Sequence, residues 1–250
     1  MRPDLVLLRE LVEHGTAVTA VAGRGASAGE IGAAEAVVGP LSPSFRWWLA
    51  EYGSGALDGE PIASLRPDGF AEAPAGLADR LDGARLWFYE EHCGDRYGFA
   101  LDDVVDGEHA VVRRDAATGD DEPCARSFAG FLAVREALAA GLRDGPNPTV
   151  ARLWNSTPGV LREDGVLIYG PQAIRERNET FGVREHAPDW VLVGDDSGGS
   201  GFFMRRHGRD RESVHLLGLG ALDRDVAAVG EHVTDDLLGW LVRAPHERSG

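Results

Sequence analysis

The sequence has no lysine, only two cysteines and no long hydrophobic run, and each scarcity narrows the class of protein. All 25 basic residues are arginine. Cys93 and Cys124 form no CxxC pair and have no histidine at zinc-finger spacing, so we expect reduced thiols rather than a disulfide framework or a zinc finger. No stretch of about 18 apolar residues occurs, which argues against a membrane-spanning helix. The first residues lack the long apolar core of a secretory signal, so the expected location is the cytoplasm.

Basic residues are also outnumbered by acidic ones, 25 to 41, so the formal net charge is −16. Direct binding to nucleic acid is therefore not expected, since neutralising phosphates requires a basic surface. The acidity is densest between Glu90 and Glu122, where 11 acidic residues stand against three arginines. An acidic face of this kind speeds the encounter with a basic protein partner. The alternative is a solvated run of charges without a binding role.

The segment WVLVGDDSGGSGFFM, residues 190–204, admits three interpretations. Its similarity to a trypsin-like signature would make Ser197 a nucleophile, but no matching histidine motif lies upstream. A metal at Asp195 and Asp196 lacks the further spaced acidic ligands of a calcium loop. Aspartate and glycine are the residues that tight turns require, so the sequence predicts a turn between two strands.

An internal repeat supports the turn. The matched pairs, in chain order, are LDGEPIASL with EDGVLIYG (57–65 and 163–170), WFYEEHCGDRYGFAL with WVLVGDDSGGSGFFM (87–101 and 190–204), and SFAGFLA with DLLGWLV (127–133 and 236–242). The central pair aligns without a gap and places Trp87 opposite Trp190 and Gly98 opposite Gly201. Three matches in the same order predict a duplicated module.

Each copy contains short β-type runs joined by turns and a helix at its end. Such consecutive strands pair antiparallel, with helices gathered to one side of each sheet. The predicted fold class is therefore α+β, with two tandem modules at residues 1–145 and 146–250. They are joined near 143–150, where glycine, proline and asparagine break the pattern.

Only the first copy has a long helical prefix. Ser27 and Glu30 form a predicted capping box, and Gly39 ends the helix that follows. A second helix is predicted to start at Pro43, with Ser42 as its N-cap. The prefix resembles the entry to a domain of the SUKH superfamily, which includes fungal cell-wall-synthesis regulators and many bacterial immunity proteins of polymorphic toxin systems. The matching positions are Glu30, Ile31, Ala34, Glu35, Gly39, Leu41, Pro43, Phe45, Leu49, Tyr52 and Gly53.

The second half is similar to another branch of the same superfamily through YGPQAIRERNETF (169–181) and the segment at 190–204. The leucine–proline pair common in the family is interrupted here by Ser42. The resemblance implies a protein that binds partners and catalyses no reaction. His92 lies beside Cys93, but adjacent strand residues point to opposite faces and would not form a catalytic pair.

The leading hypothesis is an immunity-type protein that neutralises a cognate toxin domain, for example a nuclease with a basic cleft, by steric occlusion. The alternative is a regulatory scaffold that binds endogenous proteins. Neither hypothesis calls for a cofactor, a metal or a membrane. The expected partner-binding residues are the acids of the charged segment, namely Glu90, Glu91, Asp95, Asp102, Asp103, Asp106, Asp120 and Asp121.

Overall fold

The structure is a computed structural model that describes residues 1–65, 76–142 and 145–243. The elements of the first half are α1 (Leu5–His14), β1 (Val18–Ala20), α2 (Ala28–Val38), α3 (Pro43–Glu51), β2 (Gly55–Leu57), β3 (Glu60–Ile62), β4 (Leu81–Asp82), β5 (Arg85–Glu90), β6 (Arg96–Val105), β7 (Glu108–Arg114), β8 (Asp121–Ala125) and α4 (Phe128–Ala139). A short 3-10 turn, Leu77–Arg80, precedes β4.

The second half follows the same alternation of helices and strands. Its elements are α5 (Pro148–Trp154), β9 (Val160–Leu161), β10 (Leu167–Ile168), α6 (Pro171–Thr180), α7 (Val183–His186), β11 (Trp190–Asp195), β12 (Ser200–Arg205), β13 (Val214–Gly218), α8 (Val226–Val229), β14 (Glu231–Thr234) and α9 (Leu237–Val242). A second 3-10 turn spans Leu219–Ala221. None of the described helices is both long and apolar enough to cross a bilayer.

Local signals start and stop the helices of the prefix as predicted. The capping box of α2 is present, since the Ser27 hydroxyl accepts from the backbone of Glu30 and the Glu30 carboxylate accepts from the backbone of Ser27. Gly39 ends α2 with a φ of 86°, a left-handed value that glycine tolerates. Pro43 occupies the first turn of α3 behind Ser42, whose side chain makes no capping hydrogen bond.

The strands of the described residues form three antiparallel sheets, which establishes the α+β class. Their strand orders are β1-β2-β3, β4-β5-β6-β7-β8 and β14-β13-β12-β11-β10-β9. In the five-stranded sheet, Phe88 and Phe99 lie on the inner face, where their ring centroids are 4.5 Å apart. Phe128 of α4 packs edge-on against Phe88 at 5.4 Å. Such aromatic contacts add to the free energy of apolar burial.

The two halves share one hydrophobic core. A single cluster of buried side chains runs from Leu8 to Leu241 and includes residues of all three sheets. Helix α6 contacts both α1 and α4, so the helical prefix covers part of the second half. Asp4, the N-cap of α1, also accepts a hydrogen bond from the backbone N–H of Leu161 at 3.2 Å. Burial in the second half therefore depends on residues of the first.

Equivalent elements of the two halves recur at one separation, from α3 to β6. The pairs, each 105 positions apart, are Pro43 and Pro148 in the first turns of α3 and α5, Gly55 and Val160 at the starts of β2 and β9, and Glu91 and Asp196 at the starts of the hairpin loops. Each loop is closed by a backbone hydrogen bond from its first N–H to the carbonyl oxygen four residues on, at 2.8 and 3.1 Å. A β-bulge follows Trp87 in β5 and Leu192 in β11.

This separation differs by two residues from the 103 positions in the alignment of Trp87 with Trp190, and the duplicated module stays a prediction. At a separation of 105, the equivalent of Trp190 is Arg85, and the equivalent of Trp87 is Leu192. A slip of two residues leaves every side chain on its own face of a strand, so the sequence pattern alone does not detect it. The module boundary near 143–150 stays a prediction, and residues 143 and 144 lie outside the described residues.

Candidate functional site

The loop around Ser197 is a turn between β11 and β12, as predicted. Ser197 has a φ of 56°, and its hydroxyl donates to the carbonyl oxygen of Gly165 at 2.9 Å. The Asp195 carboxylate accepts the Ser197 N–H at 2.9 Å. The Asp196 carboxylate accepts two further backbone N–H groups of the turn, at 2.8 and 2.9 Å. The two aspartates therefore hold the backbone of the turn, while the Ser197 hydroxyl joins it to the connection between β9 and β10.

Six of the eight predicted partner-binding carboxylates form ion pairs within the chain. They are Glu91, Asp95, Asp102, Asp103, Asp106 and Asp121. The other two, Glu90 and Asp120, are exposed, and Glu90 lies within the electrostatic influence of Arg80. Four of the positive partners lie outside residues 90–122, namely the amino group of Met1, Arg85, Arg126 and Arg135. A charge count over residues 90–122 therefore does not include them. The field of this segment is therefore weaker than its sequence indicates.

Glu91 connects the loop between β5 and β6 to helix α4 through an ion pair. Its carboxylate pairs with Arg135, which also binds Asp58, and it accepts the Tyr97 hydroxyl at 3.0 Å. Burial alone would raise the pKa of Glu91, but Arg135 and three side-chain hydrogen bonds outweigh burial, and the pKa is lowered. The Arg135 guanidinium also lies 5.8 Å from the centroid of the Tyr97 ring. This arrangement makes Glu91 a structural residue rather than a free surface acid.

Asp95 closes the same loop from the other side. It accepts the Ala116 N–H at 2.9 Å and the Arg113 Nε–H at 2.8 Å, and these bonds hold its pKa below the usual range. Glu91, Cys93 and Asp95 offer ligand atoms within 4.8 Å of one another. Arginines already neutralise both carboxylates, however, so we assign these three groups to the structure of the loop rather than to a metal.

The argument from strand alternation does not apply to His92 and Cys93. Both lie in the turn between β5 and β6, which begins after Glu90. The His92 side chain is 99% exposed. The Cys93 thiol donates to the Glu91 carboxylate at 3.3 Å. The two side chains have separate environments, which agrees with the expectation that they do not form a catalytic pair.

The outer face of the five-stranded sheet is built around Trp87. Its ring is 4% exposed, and the guanidinium carbons of Arg114 and Arg96 lie 4.5 and 4.9 Å from its centroid. Arg114 Nε–H donates to Asp121 at 2.7 Å, which lowers the pKa of Asp121. Arg85 joins Asp121, at 3.1 Å, to Asp102, at 2.8 Å. Asp121 therefore holds Arg114, one of the two arginines that cover the tryptophan ring.

The end of the β6–β7 hairpin carries a different surface. The strand register shifts between Ala100 and Val104, so the intervening residues leave the ladder. Val104 and Val105 are 49% and 52% exposed, although both are valines. Three of the predicted acids flank them: Asp102, Asp103 and Asp106. We call residues 102–106 the acidic hairpin end. Sequence analysis missed the two valines, and the signal was the adjacent pair within DDVVD.

Comparison with known proteins gives no further assignment. No protein-family model matches the sequence, and no curated protein matches it either. The resemblance to the SUKH superfamily therefore stays a prediction that depends on the residues quoted above. The geometry of the acidic hairpin end is the stronger basis for an argument about function.

Proposed function

We propose that the protein is a cytoplasmic, non-catalytic binding protein that neutralises a cognate toxin domain by occluding its active site. The observation that carries the proposal is the acidic hairpin end, where Val104 and Val105 are exposed between aspartates. Protein interfaces combine an apolar centre with a polar rim. Carboxylates around that centre suit a basic partner surface, such as the nucleic-acid cleft of a nuclease.

Two of the three ion pairs described for the acidic hairpin end are weak enough for a partner to replace them, whereas the third joins Asp102 to the less exposed Arg85 at 2.8 Å. Asp103 lies 3.8 Å from Arg126, and both side chains are more than half exposed. Asp106 pairs with the exposed amino group of Met1 at 2.7 Å. Exposed pairs of this kind contribute about 0–1 kcal/mol to stability. A basic residue of a partner therefore meets little competition at Asp103 and Asp106, in contrast to Glu91, whose partner Arg135 is only 15% exposed.

The roles of the other reactive side chains support binding rather than catalysis. The Ser197 hydroxyl donates to a backbone carbonyl oxygen, and the Cys93 thiol donates to Glu91. The His215 ring packs edge-on against Trp190, with centroids 5.4 Å apart, and its pKa is lowered first by burial and then by His232. In these contacts neither the Ser197 hydroxyl nor the Cys93 thiol meets a histidine, which a serine–histidine or cysteine–histidine pair would require.

The test is affinity capture from the source cell with mass spectrometry of the retained proteins. The hairpin variant carries Asp102→Asn, Asp103→Asn and Val105→Ser. The matched control carries Glu163→Gln, Asp210→Asn and Val229→Ser, exposed residues that change charge and apolarity equally. We expect a basic protein that the wild type and the control retain and the hairpin variant loses, with an affinity lower by about tenfold or more.

The captured protein must also be toxic when produced alone and harmless together with the wild type. Equal retention by the hairpin variant and the control would contradict the assignment of the surface. Retention of endogenous housekeeping proteins, without toxicity, would favour the regulatory scaffold instead.

A further inference from the structure

A cleft of about 600 Å³ opens where the two halves meet, beside α6 and α7. Its size lies within the range of small-molecule sites. Ile174 and Val191 form buried apolar wall. The remaining apolar lining comes from Leu142, Pro146 and Pro188. The cleft is distinct from the acidic hairpin end, and the proposed function does not use it.

Arg206 is fixed at one wall of this cleft. It follows β12 directly, and its backbone N–H donates to the carbonyl oxygen of Asp189 at 2.9 Å. Its side-chain Nε–H donates to the carbonyl oxygen of Trp190 at 2.8 Å. The first bond fixes the backbone at Arg206, and the second fixes the Nε edge of the guanidinium. Among the described residues, no carboxylate forms an ion pair with it, so its two terminal nitrogens remain for a ligand.

The environment of Arg206 disfavours its positive charge when no anion is bound. Burial lowers the pKa of Arg206, and the nearby guanidinium of Arg184 lowers it further. A third arginine, Arg175, also lines the cleft and donates to the carbonyl oxygen of Ala140. A partly desolvated cation beside another cation destabilises the folded state, and a bound anion would remove that cost.

Two acidic residues limit the charge of the ligand. Glu179 and Glu185 line the same cleft, so its described lining contains three arginines and two glutamates. A singly charged anion balances this set better than a doubly charged phosphate does. A carboxylate also matches the planar guanidinium fork, which forms two parallel hydrogen bonds with it.

We propose that this cleft binds a small monocarboxylic acid with an apolar chain. The carboxylate pairs with Arg206, and Arg184 adds to the attraction. The apolar chain packs against Ile174 and Val191. This assignment requires no reaction and is independent of the proposed toxin partner.

The experiment titrates the isotope-labelled full chain with hexanoate and follows backbone amide shifts by NMR. Hexanamide, the neutral analogue, and hexyl phosphate are titrated in parallel. We expect saturable binding of hexanoate, with shifts at Ile174 and Val191, and at least tenfold weaker binding of both other probes. Arg206→Gln should weaken hexanoate binding by about 10- to 100-fold, because a charged hydrogen-bonded pair is lost. Arg209→Gln, an exposed arginine outside the cleft lining, should change it less than twofold.

Arg206→Lys keeps the positive charge but removes the planar guanidinium. This variant tests whether Arg206 binds the carboxylate of hexanoate if Arg206→Gln does not fold. It should weaken binding by about tenfold. No saturable binding of hexanoate would overturn the proposal. Equal binding of hexanamide, tighter binding of hexyl phosphate, or unchanged affinity in both Arg206 variants would overturn it as well.

Discussion

Glu136 of α4 holds the junction between α1 and β1, although the two segments are about 120 residues apart in the chain. Its side chain is 3% exposed. The carboxylate accepts the backbone N–H groups of Thr16 and Ala17 at 2.8 and 2.9 Å, and the Thr16 hydroxyl at 3.2 Å. We predict that Glu136→Ala destabilises the protein strongly, whereas Glu136→Gln has a mild effect.

The magnitude follows from these three hydrogen bonds. Glu136→Ala leaves the buried N–H of Ala17 without a partner, which costs about 1–3 kcal/mol, and removes the bonds to Thr16 for about 1 kcal/mol more. We therefore expect the free energy of unfolding to fall by about 3 kcal/mol. In Glu136→Gln the amide oxygen still accepts both N–H groups, and the rotatable Thr16 hydroxyl can accept from the amide nitrogen. Only the charge assistance is lost, at about 1 kcal/mol.

The assay is equilibrium unfolding in urea, followed by tryptophan fluorescence and circular dichroism. An unchanged dependence on urea concentration shows that the variants unfold from the same fold. Glu176→Ala, at an exposed position of α6, is the control and should lie within about 0.5 kcal/mol of the wild type. A Glu136→Ala variant as stable as this control, or a Glu136→Gln variant as unstable as Glu136→Ala, would refute the reasoning.

Three further predictions concern single residues. Burial raises the pKa of Glu108, so the folded protein retains the Glu108 proton above pH 4.5. The free energy of unfolding of the wild type should therefore fall relative to that of Glu108→Gln as pH rises above about 4.5. A constant difference between the two free energies in urea unfolding from pH 4 to 8 would contradict this. Gly130→Ala places a Cβ 2.0 Å from a backbone carbonyl oxygen and should lower the melting temperature. Gly32→Ala, which has open space around its Cβ, should raise the melting temperature slightly. The reverse order of the two melting temperatures would count against the packing of α4. Burial raises the pKa of Cys124 to about 11, so a thiol reagent at pH 8 should modify the exposed Cys93 first, and faster labelling of Cys124 would be inconsistent with the structure.

Local signals were sufficient to predict several elements. The capping box of Ser27 and Glu30 and the aspartate-to-backbone hydrogen bonds of the Ser197 turn join residues within four positions of each other. The α+β class followed from short strands and the turns between them. The two-residue slip in the repeat was not detectable, because strand alternation has a period of two and Trp87 stays on its face under either alignment.

The acidic surface could be predicted only in part, because ion pairs depend on contacts between distant segments. Arg85 reaches Asp102 across the β5–β6 ladder, and Arg135 reaches Glu91 from α4. A charge count over residues 90–122 includes neither of these arginines. The exposure of Val105 likewise depends on a register shift in β6 that the sequence does not specify. The sequence indicated the acids of the hairpin end but not their apolar centre.

The most direct test of the proposed binding surface is hydrogen exchange with mass spectrometry, on the free protein and on its complex with the captured partner. The acidic hairpin end, residues 102–106, lies partly outside the strand ladder and carries exposed side chains, so its amides should exchange readily in the free protein. We predict that these amides become protected in the complex and that exchange around the Ser197 turn is unchanged. Protection confined to other segments, with residues 102–106 exchanging as in the free protein, would contradict the account.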